Sequence, residues 1–567
     1  MTPAMEETLR RPRAGPVFGG IDPHGVRNWR GIPYAKPPLG SLRWKAPRDL
    51  KPFSEPFAAT RFAPMCWQLG QPQVAVDPAL YGKPVGSEDC LYLNIWSPPE
   101  CSGAEKDADA LPVMVWIHGG SNVGGAGHLY NGSNLARRQQ VIVVSINYRL
   151  GLFGWFSHPA LRSSATADLD RSANFGTLDI IKALEWVRRN IAAFGGDPGN
   201  VTVFGESAGG MNIVSLLYAP PAHGLFHKAI VQSGSVRQTP VHVAESLTED
   251  DRSEFSSAET AAKLLLQRGK AATIDLARKR VAGMSENDFV NLVHNASGEE
   301  LIGTYSLDIA TRIRVPQIIP DEVVIPHASP WDMIADVKRM QAVPLMIGTN
   351  RDEMKFFLGL NPDYARIVPG QSITIHDPAR FELHARYLSD RWRAQGVNEI
   401  ARRISAHNPA VYAYRFDWDD QPSYPQADLR LFFGAAHTME LPFVFDDFET
   451  MRLFALHFTE ENRVERERLA SRIGEYWSNF AYHGTPGRGR SNQLPEWPAW
   501  GDGDKLLLDA DSDGGIRVER DELTVHSLRE RFSADQSFAS DADKKEFATQ
   551  LLKGRETWES YFSSQPR

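Results

Sequence analysis

Three short runs, Val113–Ile117, Val141–Ile146 and Val201–Phe204, are apolar and β-branched along nearly their whole length. A strand can be apolar at every position only if both of its faces are covered, as in parallel or mixed sheets with helices on either side. Leu91–Trp96 alternates like a strand, and His227–Gln232, Pro344–Gly348 and Val411–Phe416 read as further strands. Between them, Asn174–Phe194 carries Leu178, Ile181, Leu184, Val187 and Ile191 at helical spacing and stops at Gly195–Gly196. Met211–Tyr218 continues the stretch after Phe204 as a second helix. Strand followed by helix, repeated along the chain, predicts an α/β architecture with crossover helices.

Two stretches break this rhythm. Residues 245–314 and 379–406 are polar and helix-prone, without strand signals, and are expected to be helical insertions forming pocket walls. A further helix is expected at Ala542–Phe562. No repeat or low-complexity tract divides the 567 residues, and a single domain is expected over 1–567. Lys and Arg total 62 against 70 Asp and Glu, a net charge of −8, which disfavours nucleic acid and anionic membrane surfaces as partners. The longest apolar runs fall far short of the ~18 residues that a transmembrane helix needs. Arg10–Arg11 near the N-terminus is followed by no apolar run. A cytoplasmic location is therefore expected for the chain as written, and a secreted one if a leader has been removed. Cys66, Cys90 and Cys101 lack metal-site spacing, so no metal is expected.

Chemistry enters at Gly205-Glu206-Ser207-Ala208-Gly209, a Gly-x-Ser-x-Gly pentapeptide set between strand Val201–Phe204 and a helix-prone segment. A sharp strand-to-helix turn strains its central residue and lifts that side chain above the sheet edge, while glycines two before and two after relieve the crowding. The pentapeptide alone is a weak signal. In this context it marks Ser207 as a nucleophile, with the helix N-terminus aimed at the reacting oxygen.

A serine needs a base, and the base needs an acid to orient it; on such a fold both follow the serine in the chain. Pro344-Leu-Met-Ile-Gly348 leads into Thr349-Asn-Arg-Asp-Glu353, a strand followed by an acidic loop. His437 lies in a Gly-containing loop after Val411–Phe416. The residues by themselves leave Asp352 open against Glu353, and His437 open against His407 and His457. Strand Val113–Ile117 runs into His118-Gly119-Gly120-Ser121-Asn122, a Gly-rich loop suited to presenting backbone N–H groups to an oxyanion.

Taken together, these stretches resemble the type-B carboxylesterase and cholinesterase-like branch of the α/β-hydrolases. The matching residues run from about Phe18 to Trp500 and include Arg30-Gly-Ile-Pro-Tyr-Ala35, Ser87-Glu-Asp-Cys-Leu-Tyr-Leu-Asn94, Asn147-Tyr-Arg-Leu-Gly151, Phe194-Gly-Gly-Asp-Pro198, Phe204-Gly-Glu-Ser-Ala-Gly-Gly210, Gln232-Ser-Gly-Ser235 and Tyr476-Trp-Ser-Asn-Phe480. The resemblance implies an α/β-hydrolase fold: a large mixed, mostly parallel sheet flanked by helices. It implies Ser207 as nucleophile, His437 as base and then acid, Glu353 as the orienting carboxylate, and oxyanion donors at Gly120, Ser121 and Ala208. Met354 stands where the family has Gly, and Ser121 where a third consecutive Gly is usual. The extra side chain at Ser121 narrows the room for bulky alcohols.

The resemblance further implies a Cys66–Cys90 disulfide and the ion pairs Arg43–Glu88 and Arg149–Asp179; Cys101 matches nothing in the pattern. It implies hydrolysis of carboxylic esters of small to medium acyl chain, with a small-molecule ester as partner and no cofactor. Trp67 is the one tryptophan between Cys66 and Cys90, next to the first cysteine, which disfavours recognition of quaternary ammonium groups. Two alternatives share the scaffold. One is a catalytically silent, neuroligin-like binding protein, disfavoured because Ser207, Glu353 and His437 are all present; the other is amide or thioester hydrolysis by the same residues. Glu206, beside the nucleophile, is expected either to stabilise the His437 imidazolium or to make a structural hydrogen bond. Asn131-Gly-Ser, Asn200-Val-Thr and Asn295-Ala-Ser are formal glycosylation acceptors, relevant only to a secreted chain.

Overall fold

The computed structural model describes residues 3–72, 74, 77–99, 110–247, 255–305, 315–368, 371–451, 456–501 and 503–551. Its centre is an 11-stranded sheet. In chain order the strands are β1 (Gly20–Ile21), β2 (Arg27–Pro33), β3 (Tyr92–Ser97), β4 (Leu111–Ile117), β5 (Ile142–Ile146), β6 (Gly196–Glu206), β7 (Lys228–Gln232), β8 (Leu345–Asn350), β9 (Val411–Phe416), β10 (Asp504–Leu508) and β11 (Arg517–Arg520). Across the sheet they run β11-β10-β9-β8-β7-β6-β4-β5-β3-β2-β1. Every pairing from β5 to β10 is parallel, and the pairings at both edges are antiparallel. The mixed, mostly parallel sheet of an α/β-hydrolase is thus present.

The apolar strands split their side chains between two cores. Val113, Val115 and Ile117 of β4 enter one core with Val201 and Val203 of β6, Ala229 and Val231 of β7, and Leu345 and Ile347 of β8. Their alternates Met114, Trp116, Phe204, Ile230 and Met346 enter the other. Period-two geometry sends successive residues to opposite faces, so continuous apolar runs are what a doubly covered sheet requires. Helix α1 (Phe175–Asn190) covers the first face with Leu178, Ile181, Leu184 and Val187. It passes into a 3₁₀ turn at Ile191–Phe194 and ends at Gly195, whose φ is +89°. Helix α2 (Ala208–Leu217) follows β6 directly, α3 (Glu353–Gly359) follows β8, and α4 (Pro378–Arg393) and α5 (Glu399–Ser405) lie between β8 and β9. Helix α6 (Arg463–His483) covers the second face with Leu469, Ile473, Trp477 and Phe480.

The described parts of both insertions are helical: four helices lie between Ser257 and Ile302, and α4 and α5 occupy Pro378–Ser405. Residues 248–254 and 306–314 lie outside the described residues. The C-terminal helix spans Asp541–Leu551, and the remainder of its expected length lies outside them as well.

Cys66 and Cys90 are joined by a disulfide, closing 24 residues of sequence separation, a loop worth about 3 kcal/mol on the chain-entropy model. Cys101 lies outside the described residues. Both expected ion pairs are formed. Arg43 meets Glu88 with two hydrogen bonds, and Arg149 grips both oxygens of the fully buried Asp179 at 2.7 and 2.8 Å. Among the described residues no helix is long and apolar enough to cross a membrane.

Candidate active site

The side chains singled out in the sequence arrive at one end of the parallel centre, at the carboxyl ends of neighbouring strands. Ser207 is the hinge between β6 and α2, with φ 57° and ψ −119°, a conformation that side chains rarely adopt. Its N–H donates to the Gln232 carbonyl at 2.9 Å, which ties the turn to the end of β7. The flanking glycines are obligatory in this packing. A Cβ on Gly205 would stand 2.5 Å from the Ile117 carbonyl oxygen, and one on Gly209 would stand 1.9 Å from it.

Glu353 is the first residue of α3, immediately beyond β8, and is fully buried. One carboxylate oxygen accepts from Ser233 Oγ, from Thr349 Oγ1 at 2.6 Å and from the Asn350 N–H at 2.8 Å; the other accepts from His437 Nδ1 at 2.5 Å. Burial alone would raise its pKa, but the charge and hydrogen bond of His437, with these donors, hold it below the usual glutamate value. An ionised Glu353 can only accept, so Nδ1 of His437 carries the proton.

Asp352 turns away. Its carboxylate takes two bonds from Arg351 and one from the Ala435 N–H. The other two histidines are engaged elsewhere: His407 Nε2 meets the Ile334 carbonyl at 2.9 Å, and His457 is buried against Phe433. Of the residues the sequence left open, the structure brings Glu353 and His437 into contact, and not Asp352, His407 or His457.

Two further buried carboxylates surround the imidazole. Glu206 Oε1 is 3.1 Å from His437 Nε2, close enough for an ion pair but not aligned as a hydrogen bond. Burial pushes the Glu206 carboxyl well above its ordinary range, and Glu440 and Glu353 add to this. Glu440 was not singled out by sequence reasoning. It accepts from Asn350 Nδ2 at 2.6 Å and from Gln232 Nε2 at 3.2 Å, and burial, with the Glu353 charge, lifts its pKa to about 7. Its one sequence signal is position, three residues after His437 in a stretch otherwise apolar. Burial would lower the pKa of His437, but Glu206, Glu353 and Glu440 outweigh that and raise it from 6.5 to about 9.

On the other side of Ser207, the loop after β4 is packed against it. A Cβ on Gly119 would stand 2.9 Å from Glu206 Oε2 and 3.1 Å from Ser207 Cβ. Gly120 has φ +97°, and a Cβ there would meet the Gly124 carbonyl oxygen at 2.3 Å; Ser121 and Asn122 are both at φ 57°. Gln317 donates to the Ser121 carbonyl at 2.7 Å, while Asn212 of α2 and Asn122 exchange side-chain hydrogen bonds. Among the described residues nothing accepts from the N–H groups of Gly120 and Ser121, and Ala208, as the first residue of α2, has no acceptor within its helix. Three backbone donors thus flank Ser207. The serine, Ser121, Phe356, Phe357 and Trp392 keep partial exposure while the ionisable groups behind them are buried.

The site thus combines a strained serine, a carboxylate-held imidazole and a donor-rich loop. Comparison with known proteins places the chain in a family. The sequence model of the carboxylesterase family matches residues 9–380 and 379–526. The chain belongs to the carboxylesterase family. This carboxylesterase, a carboxylic ester hydrolase, is 34% identical over 531 residues to the para-nitrobenzyl esterase of Bacillus subtilis, covering 88% of this chain and 94% of that one. It is 31% identical to the human cocaine esterase over 539 residues, covering 88% and 87%. A solved para-nitrobenzyl esterase superposes with a TM-score of 0.69 at 32% identity, covering 93% of this chain and 99% of that one. A carboxylesterase from Geobacillus stearothermophilus gives 0.67 at 28% identity, covering 92% and 99%. The carboxylesterase's fold and its ester-hydrolysing class are therefore established together.

Proposed function

We propose that this carboxylesterase works through an acyl-enzyme on Ser207. His437 takes the Ser207 proton as Oγ attacks the ester carbonyl carbon, and the carbonyl oxygen becomes an oxyanion held by the N–H groups of Gly120, Ser121 and Ala208. As the carbon–oxygen bond to the alcohol breaks, His437 returns its proton to the leaving oxygen. A water then attacks the acyl-enzyme by the reverse sequence, releasing the acid. Glu353 keeps the imidazole in the tautomer that leaves Nε2 free to accept. Nε2 stands 3.1 Å from Glu206, and the mechanism requires it to turn toward Ser207.

The observation that carries this reading is the 2.5 Å bond between Glu353 and His437 set beside a serine at φ 57°. The substrate class that fits is an ester of small to medium, uncharged acyl chain. The relatives named for para-nitrobenzyl and cocaine esters support a pocket tolerant of aromatic groups. The helical insertions serve as walls of that pocket.

The test is hydrolysis of p-nitrophenyl esters from acetate to decanoate by the wild type and by Ser207→Ala. Loss of about 10⁴-fold or more in kcat for the variant is expected. Activity that survives in Ser207→Ala would mean that another residue is the nucleophile.

A further inference from the structure

The wall of the site on the β7 side is an aromatic one, and its geometry is unusual. Trp392 is the penultimate residue of α4, and the helix does not continue regularly beyond it: Ala394–Asn398 form a π-helical turn before α5 resumes. Such turns are rare and concentrate at functional sites. Gly396 lies in this turn, and a Cβ there would stand 2.6 Å from the Gly234 carbonyl oxygen and 2.9 Å from the Trp392 ring. The same carbonyl accepts from the Trp392 indole N–H at 3.1 Å. The widened turn therefore brings helix and loop into direct contact and aims the indole.

The ring it aims lies over the catalytic pair. The Trp392 ring centroid is 4.9 Å from that of His437, and Phe357 packs on the same imidazole at 5.0 Å and on Trp392 at 6.0 Å. Trp392 and Phe357 nonetheless stay partly exposed, so one side of the pair faces open space.

Sheet order separates the two sides of Ser207. The loop after β4, carrying the oxyanion donors with Glu206 turned toward Gly119, lies on one side; the loop after β7, carrying Gly234 and the indole, lies on the other. The carbonyl oxygen of an ester claims the first side. The leaving alcohol claims the imidazole edge that bears Nε2, which is turned toward Glu206. The acyl chain is left the β7 side, where the partly exposed Trp392 stands.

We propose that Trp392, aimed by the π-turn and the Gly234 carbonyl, is the specificity-determining residue that limits the length of the acyl chain. This inference rests on the acyl-enzyme reading above. Its indole closes the acyl side, favouring short chains and flat aromatic acids that stack on the ring pair.

The experiment compares kcat/KM for p-nitrophenyl butyrate and decanoate in the wild type, Trp392→Ala and Trp392→Leu. A second series holds the acyl group at acetate and varies the alcohol. Opening the wall should raise the decanoate-to-butyrate ratio by about tenfold or more in Trp392→Ala, and by less in Trp392→Leu, with little change along the alcohol series. The leucine variant keeps an apolar filler and supplies the same ratio if the alanine variant does not fold. An unchanged ratio, an equal loss on every ester, or a shift confined to the alcohol series would overturn the assignment. Failure of the acyl-enzyme reading is separable, because it shows as activity in Ser207→Ala whatever Trp392 does.

Discussion

Gln68 holds Gly125 by both of its backbone polar atoms: Gln68 Oε1 accepts from the Gly125 N–H at 2.8 Å, and Nε2 donates to the Gly125 carbonyl at 2.9 Å. Gln68 is fully buried two residues beyond Cys66, and Gly125 closes the loop that begins at Gly119. The disulfide-bonded loop therefore clasps the segment that carries Gly120 and Ser121, the proposed oxyanion donors. Gln68→Ala should lower kcat by about tenfold with KM little changed, less than the ~10²–10³ for removing a donor outright. Steady-state kinetics on one p-nitrophenyl ester checks this; a pure KM effect would assign Gln68 to substrate binding instead.

The acid limb of the pH–rate profile should lie above the ordinary histidine value. In the proposed mechanism only neutral His437 can accept the Ser207 proton, and its pKa is raised from 6.5 to about 9 by Glu206, Glu353 and Glu440 against the effect of burial. Activity is therefore gained as pH rises through that value. Glu206→Gln removes the carboxyl 3.1 Å from Nε2 that favours the imidazolium, and should move the limb, which belongs to the coupled pair rather than to one residue, to lower pH. A limb that stays put would show that Glu206 does not set the charge of His437.

Asp179→Ala should be costly for stability rather than for chemistry. It leaves the Arg149 guanidinium, 4% exposed, without its carboxylate. Breaking a buried pair from one side typically costs about 3–5 kcal/mol. Thermal unfolding of the variant should show a clear drop in Tm, and an unchanged Tm would mean that Arg149 finds water or another acceptor.

Gly209→Ala should abolish both activity and the native turn, since its Cβ would lie 1.9 Å from the Ile117 carbonyl oxygen, a backbone atom that cannot step aside. Circular dichroism with the ester assay distinguishes this from a simple catalytic defect. A folded, active variant would contradict the tight β4–α2 approach.

The central strands were legible because doubly covered strands are apolar almost throughout, as Val113–Ile117 and, but for Ser145, Ile142–Ile146 are. The start of β6 was not: Gly196-Asp-Pro-Gly-Asn200 reads as a turn, yet Gly196 pairs with Leu111 across a bulge. The edge strand β11 escaped for another reason. Arg517–Arg520 is largely polar and exposed, so no apolar pattern marks it. Within the site, the choice of Glu353 over Asp352 is made by side-chain direction at the start of α3, which adjacent residues in a sequence cannot reveal. Glu440 and Trp392 were invisible for the same reason: each acquires its place only by meeting residues far along the chain, Asn350 and Gly234 respectively.

The parallel centre of the sheet has a consequence for how the enzyme comes into being. Ser207 stands after β6, Glu353 after β8 and His437 beyond β9, and parallel neighbours are joined only by long crossovers. A nascent chain emerging from the ribosome carries Ser207, the proposed nucleophile, long before His437, the proposed base, and on that reading a protein truncated ahead of His437 carries no working fragment. Contacts so distant in sequence form late and slowly. Esterase activity in a cell extract therefore reports finished synthesis and completed folding, and damage almost anywhere along the chain should silence the enzyme rather than loosen its selectivity.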